Sequence, residues 1–342
     1  MSFLISLALI SSVVNAQSAL GSWEISGSSG TVCIHTALLP NSRLLCFERP
    51  HMNPYPINPF TSGRTGSEIN LLGQVSTTGS WTASWVQKPI FYNAFCAGHS
   101  MLANGSVLVI GGDNQSMADP DGSVYIVDGR KGRRIYDPCS GTDCSTGIWT
   151  DLPPMTTERW YPTVATLKDG NSIIISGTTS NLDFDHLGLN NNPTYEYWPM
   201  KAGAWPRKLD ILDWAYPHSL YPMVFQLPTG GVFLFVSNKT IIIDPQTDEI
   251  SYRIPDMPVM DHSPWIYPHT PQMVMLPLTK KNGYKAVLQV CGGTKLSSKD
   301  ASPMCWRINP DDVTPVWTRV DDMPHARLMP DGVLLPGKVD AI

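Results

Sequence analysis

Charge is scarce in this chain. Asp, Glu, Lys and Arg make up 15% of residues, and 29 acids against 24 Lys and Arg leave a net charge of −5. Binding nucleic acid takes a basic face that attracts phosphates, so no nucleic-acid partner is expected. Long apolar runs are scarce too. The run at the N-terminus is shorter than the roughly 20 residues that span a bilayer, and no other comes as close, so no membrane segment is expected. Thirty prolines and 27 glycines interrupt any long helix and suit a turn-rich β protein. The chain has no CxxC pair, GxSxG turn, HExxH helix, phosphate-binding glycine loop or paired-carboxylate motif. Structural zinc, hydrolase and nucleotide-dependent readings therefore have no support.

What is present begins with "MSFLISLALISSVVNAQ", an apolar stretch ending in Val14-Asn15-Ala16. Small residues before the cut are what signal peptidase accepts, although no Lys or Arg precedes the run. Residues 1–16 are read as a signal peptide and 17–342 as a secreted, extracellular and monomeric domain. An oxidising compartment favours disulfides. Cys139 and Cys144 sit in one short polar loop, and Cys291 and Cys305 flank another. Cys33 and Cys46 lie on two runs joined by the turn-like "LPNSR". These local pairings are candidates among 15 connectivities. Sequons at Asn104, Asn114 and Asn238 are compatible with secretion, though such triplets are common by chance. Seven cysteines leave one over, Cys96 in "NAFCAGHS".

The interior repeats. Each unit is an apolar run, a tight turn, a second apolar run, a run ending in Asp-Pro or similar, and a Trp-centred closing run. The turns are "ANGS", "KDGN" and "PTGG"; the second runs are "VLVIGG", "SIIISG" and "VFLFVS". The third runs are "RIYDP", "TYEYWP", "TIIIDP" and "CWRINP", and closing runs include "GIWTDLPPM", "GAWPRKLDIL" and "PVWTRVDDMP". Four short strands per unit, recurring at this period, predict an all-β, kelch-like β-propeller of four-stranded antiparallel blades. A β-sandwich would not need the same ordered set of turn, glycine and tryptophan each time. About five blades are legible, and "HARLMPDGVLLPGKVDAI" begins another, so the expectation is an incomplete seven-bladed ring. Trp81, Trp149, Trp205 and Trp317 recur once per blade as structural staples.

Aligned on the first turn, Cys96, Tyr161 and Tyr221 each lie eight residues before it. They share one register at the start of the strand that lines a propeller's channel. Cys96 and Tyr161 are expected to meet near the channel mouth. Tyr221 reads as a wall residue, and Trp160 as a side chain pointing into the packed face of its blade.

"FCAGHSMLANGSVLVIGGD" and "ERWYPTVATLKDGNSIIISG" resemble the copper radical oxidases, in particular the N-terminal domain of the glyoxal oxidase family, which is galactose-oxidase-like. The likeness continues in "SLYPMVFQLPTGGVFLFVSNKTIIIDP", "YPHTPQMVMLPL", "VLQVCGG" and "MPHARLMPDGVLLP", from about Trp23 to the end. The resemblance implies a thioether joining Cys96 to the Tyr161 ring, held as a radical, with Tyr161 as a copper ligand. It implies oxidation of a small aldehyde or alcohol by dioxygen with release of peroxide. The chain departs from the family in having no adjacent Tyr-His pair, and the further His ligand of the following domain has no match. With one of four ligating side chains, the chain is expected to be an inactive fragment of a longer oxidase. The other reading is a non-catalytic propeller that binds glycan or protein. Among remaining histidines, His218 and His269 follow a tyrosine by two, and His262 sits in "MDHSP". His99 is expected to face away from Cys96, and His325 matches nothing.

Overall fold

In a computed structural model of the chain, the structure describes residues 29, 33–40, 42–48, 66–70, 84–87, 90, 92–114, 117–118, 124–138, 147–180, 188–203, 205–258, 267, 269–294 and 300–334. The leader, Cys139, Cys144, Trp81 and His262 lie outside the described residues.

The repeated turn explains the repeated blade. In all three copies a leucine (Leu102, Leu167, Leu227) both donates to and accepts from the turn, and the glycine (Gly105, Gly170, Gly230) takes the left-handed conformation. Only glycine adopts φ values of +85 to +100° freely. In the first two copies Asn104 and Asp169 accept the backbone N–H two residues on, at 3.0 Å, which closes an Asx turn. Each turn folds an apolar run back on its neighbour.

Five four-stranded sheets result among the described residues. Blade 1 comprises His35–Leu38, Arg43–Phe47, Gly66–Asn70 and Ser84–Gln87; blade 2, Gly98–Met101, Val107–Ile110, Arg133–Asp137 and Ile148–Leu152. Blade 3 comprises Thr163–Thr166, Ser172–Ile175, Thr194–Trp198 and Arg207–Lys208; blade 4, Met223–Gln226, Val232–Val236, Lys239–Ile243 and Ile250–Ser251. Blade 5 comprises Pro271–Met275, Leu288–Gly292, Cys305–Ile308 and Thr318–Val320. Sequence order is spatial order in each, inner to outer, as a propeller requires. The second strands "VLVI", "SIII" and "VFLFV" are buried at every residue, because each sheet is covered on both faces by its neighbours. Four cores fill the spaces between blades 1 and 2, 2 and 3, 3 and 4, and 4 and 5.

The tryptophans close these spaces as expected of staples. Trp149, Trp205 and Trp317 pack against three of the four cores, and the Trp317 indole donates to the Pro255 carbonyl at 3.0 Å, tying blade 5 to blade 4. Disulfides join Cys33 to Cys46 and Cys291 to Cys305; the second pair is directly opposed on neighbouring strands.

Three local features differ from the sequence reading. The closing run "GAWPRKLDIL" forms a strand only at Arg207–Lys208 and then a short helix, Asp210–Ala215, whose Ile211, Leu212 and Ala215 are buried against blades 3 and 4. Blade 2 carries an excursion, a separate two-stranded sheet of Met117–Ala118 and Val124–Ile126, between its second and third strands. Residues 321–334 form no strand; the bridge Ser302–Arg327 holds them on blade 5.

Candidate active site at the hub

Two residues before the first strand of blades 2, 3 and 4 stand Cys96, Tyr161 and Tyr221, each with positive φ (54°, 62° and 48°). A non-glycine residue there is strained by about 1–3 kcal/mol and persists where its surroundings hold it. Here the backbone does so. The Tyr161 N–H donates to the Cys96 carbonyl at 3.0 Å, and the Tyr221 N–H donates to the Tyr161 carbonyl at 3.1 Å. Met329, also at positive φ, donates in the same way to Thr270 at the start of blade 5. A backbone ladder thus passes from blade to blade around the axis.

Cys96 is buried and is the free cysteine among the described residues. It packs with Tyr161 and Leu220, and Phe95, Trp160, Tyr221 and Tyr267 close around them. The rings of Tyr161, Tyr221 and Tyr267 lie mutually 5.0–5.4 Å apart between centroids. The Tyr221 hydroxyl donates to the Ala97 carbonyl at 3.1 Å, so Tyr221 is a brace between blade 4 and the Cys96 segment rather than a passive wall.

The structure corrects the reading of Trp160. Its indole stacks on the Tyr161 ring, with centroids 4.7 Å apart and planes at 30°, and its Nε1 is buried without a partner among the described residues. Strand alternation would send neighbours to opposite faces. The positive φ at Tyr161 breaks that alternation and folds both rings into the hub.

Arg159, one residue earlier, anchors this segment. It is wholly buried and donates to Glu196 Oε1 at 3.1 Å, to the Ser176 and Thr194 carbonyls at 2.8 and 3.0 Å, and to Thr194 Oγ1 at 2.9 Å.

Burial sets the protonation of the cluster. It raises the Cys96 thiol to about 11, against a smaller lowering by hydrogen bonding from Tyr161, Tyr221 and Tyr267. Burial likewise pushes Tyr267 to about 12 and raises Tyr161 and Tyr221 well above the ordinary phenol value. All four groups are neutral at physiological pH. An adjacent cation is what would favour their ionised forms.

A cavity of about 540 Å³ opens beside the cluster, bordered by Cys96, Tyr221, Tyr267, Met223, Met273 and Met329 among others. His35 and His99 also border it, but their rings turn to Phe47 between blades 1 and 2. His99 thus points away from the Cys96 cluster, its Nε2 3.3 Å from the Thr36 carbonyl. Burial lowers the pKa of both, His35 to about 3. His218 borders a small separate pocket with Leu220 and Tyr221. Sequence reasoning overlooked Tyr267; the signal was its Tyr-Pro step, shared with Tyr161-Pro162 and Tyr221-Pro222.

The sequence profile described as glyoxal oxidase N-terminus matches residues 75–341. The chain belongs to that family. Among curated relatives of this glyoxal oxidase family chain, an aldehyde oxidase (GLOX) of Vitis pseudoreticulata is 31% identical over 72% of the chain, and a second (GLOX1) of Arabidopsis thaliana is 28% identical over 56%. The chain spans 43% and 32% of the length of those two proteins. Among solved structures, a fungal alcohol oxidase of the AA5 family, in complex with copper, superposes with a TM-score of 0.58 at 16% identity. That match covers 88% of this chain and 56% of the other, and the two share a fold.

Do the residues of this glyoxal oxidase family chain fit copper? The hub supplies one thiol and three phenols. Among the described residues no group of three or more His, Cys, Asp or Glu is placed to hold a metal ion. Cu(II) favours imidazole and oxygen donors in a tetragonal set. The described residues do not complete that set, although they do provide a thiol packed against a phenol.

The burial of Cys96 has a direct test. In the copper-free chain at pH 8, its thiolate is about one part in a thousand, and burial blocks access. Alkylation by iodoacetamide is expected to be at least about a hundredfold slower than in guanidinium, read by mapping the labelled peptide. The native rate is expected to keep rising toward pH 11; a native rate equal to the unfolded one contradicts the buried placement.

Proposed function

We propose that this chain is the propeller portion of a secreted copper radical oxidase. Its substrate is a small aldehyde or primary alcohol, its oxidant is dioxygen, and it releases hydrogen peroxide. The observation that carries the reading is the buried free thiol of Cys96 packed against Tyr161, at two equivalent hub positions of neighbouring blades. A purely structural propeller has no use for a thiol among phenols there. The two disulfides support an oxidising compartment, and no helix among the described residues is long and apolar enough to cross a membrane.

On this reading Cys96 Sγ and a ring carbon of Tyr161 form a thioether. The S–H and C–H bonds break, the C–S bond forms, and two electrons with two protons pass to dioxygen in the copper-loaded protein. Tyr161 would hold copper from among the described residues, and imidazole donors would have to come from outside them. Copper, when bound, would supply the one-electron acceptor that alcohol or aldehyde oxidation draws on. This chain's own side chains do the positioning. Trp160 covers one face of the Tyr161 ring and excludes water from it. Tyr221 fixes the Cys96 segment through the Ala97 carbonyl. The adjoining cavity, about 540 Å³, has room for a small substrate.

The test is peptide mapping of the copper-loaded, full-length protein. The Cys96 and Tyr161 peptides are expected to emerge fused and lighter by two hydrogens, and to separate in Cys96→Ser. Unfused peptides with an alkylatable Cys96 in the copper-loaded protein overturn the reading.

A further inference from the structure

Away from the hub, blade 4 carries a second cavity, of about 300 Å³, between the helix Asp210–Ala215 and the outer strands. Two aromatic side chains on its wall are unusually open: Trp214 is 54% exposed and Tyr252 is 63% exposed. Thr240 also lines it. That residue is 4% exposed, and its Oγ1 is buried with no hydrogen-bond partner among the described residues.

The charges narrow the ligand. The Lys239 ammonium lies 4.5 Å from the Trp214 ring centroid and 2.7 Å from Asp256 Oδ2. The position where aromatic and acidic groups would hold an organic cation is therefore filled from within. An anion would face Asp210 and Asp256. What remains is a neutral ligand with an apolar C–H face for the rings and hydroxyl or amide groups for the Asp210 and Asp256 carboxylates. A pyranose has that chemistry.

The chain holds a source of one at the cavity's edge. Asn238-Lys239-Thr240 is a sequon, and its second and third residues both line the cavity. Asn238 is the second residue of a two-residue hairpin turn, since Val236 pairs with Lys239 and Ser237 takes φ 59°. Its backbone carbonyl accepts the Met257 N–H at 2.8 Å, and the residue is half-buried. A sugar tethered there reaches the cavity at a high effective concentration, so even a weak contact is populated.

We propose that Asn238 is N-glycosylated and that the first N-acetylglucosamine of its glycan docks in this cavity against Trp214 and Tyr252. In the transfer, Asn238 Nδ2 displaces the pyrophosphate of a polyprenyl-pyrophosphate oligosaccharide at its anomeric carbon, and the amide proton leaves with that group. The inference rests on the secretion part of the proposed function and not on its redox chemistry.

The test uses the full chain expressed through a eukaryotic secretory route. Glycopeptide mapping is expected to find Asn238 occupied. Complete glycan removal is expected to lower Tm by about 2–4 °C, whereas trimming to a single N-acetylglucosamine leaves it unchanged. In Trp214→Ala, and independently in Tyr252→Ala, the difference between the two treatments is expected to vanish. Hydroxyl-radical footprinting of the unmutated chain is expected to show Trp214 protected only while the first sugar remains. An unmodified Asn238 in a chain glycosylated at Asn104 or Asn114 overturns the inference and leaves secretion standing. A chain with no occupied sequon overturns the inference as well and leaves secretion standing. Occupancy with unchanged Tm and no protection overturns the docking.

Discussion

Arg159→Met is expected to destabilise the protein by about 3–5 kcal/mol, the usual loss when one partner of a buried ion pair is removed. The guanidinium and the Glu196 carboxylate are both wholly buried. Removing the arginine strands that carboxylate, which keeps Thr156 Oγ1 as a donor at 3.0 Å, and leaves the Ser176 and Thr194 carbonyls without its N–H groups. The cost is therefore mainly one of unpaired buried groups, not of lost attraction. The double variant Arg159→Met/Glu196→Met is expected to recover a large part of the loss, because two apolar side chains of similar volume leave no charge stranded. Denaturant midpoints of both variants, with unchanged slope, measure this. A single variant within about 1 kcal/mol of the parent contradicts the anchoring role.

Gly112→Ala is the second large effect. A Cβ at that position would lie 1.8 Å from the Asn93 carbonyl oxygen and 2.9 Å from its carbon, with φ at +143°. The glycine cannot take a side chain unless the Asn93 backbone moves, and a Cβ added at Gly129 would meet the same oxygen at 1.8 Å. Asn93 stands three residues before Cys96, and its Oδ1 accepts the Phe95 N–H at 3.1 Å, so the displacement reaches the thiol. The expected cost exceeds about 3 kcal/mol, and native protection of Cys96 from alkylation is expected to be lost. Gly170→Ala is the control. Its φ is +85°, but nothing lies within 4 Å of the added Cβ, so it is expected to lose about 1 kcal/mol and keep Cys96 protected.

The blade plan was legible because it is written in local chemistry. Asn104-Gly105 and Asp169-Gly170 make turns in any context, and the runs after them are apolar because each sheet is covered on both faces. All four Asp-Pro-like third runs are strands in the structure. The helix at Asp210–Ala215 was not legible. Its sequence, "DILDWA", is too short to display a helical period, and it forms because three residues find a place between two blades. Trp160 was misjudged because alternation was assumed to run through Tyr161, where a positive φ interrupts it. The meeting of Cys96 with Tyr161 was anticipated from register. The third phenol was overlooked because Tyr267 lies before its blade's first strand without sharing the eight-residue spacing.

The ladder linking Cys96, Tyr161 and Tyr221 is made of peptide groups alone. Apart from the Tyr221 hydroxyl's bond to the Ala97 carbonyl, the bonds that hold these positions do not depend on the side chain each carries, and thiol, phenol, hydroxyl and thioether already stand there in Cys96, Tyr161, Thr270 and Met329. A scaffold of that kind permits reactive groups to be exchanged one at a time during evolution, with the ring itself left intact.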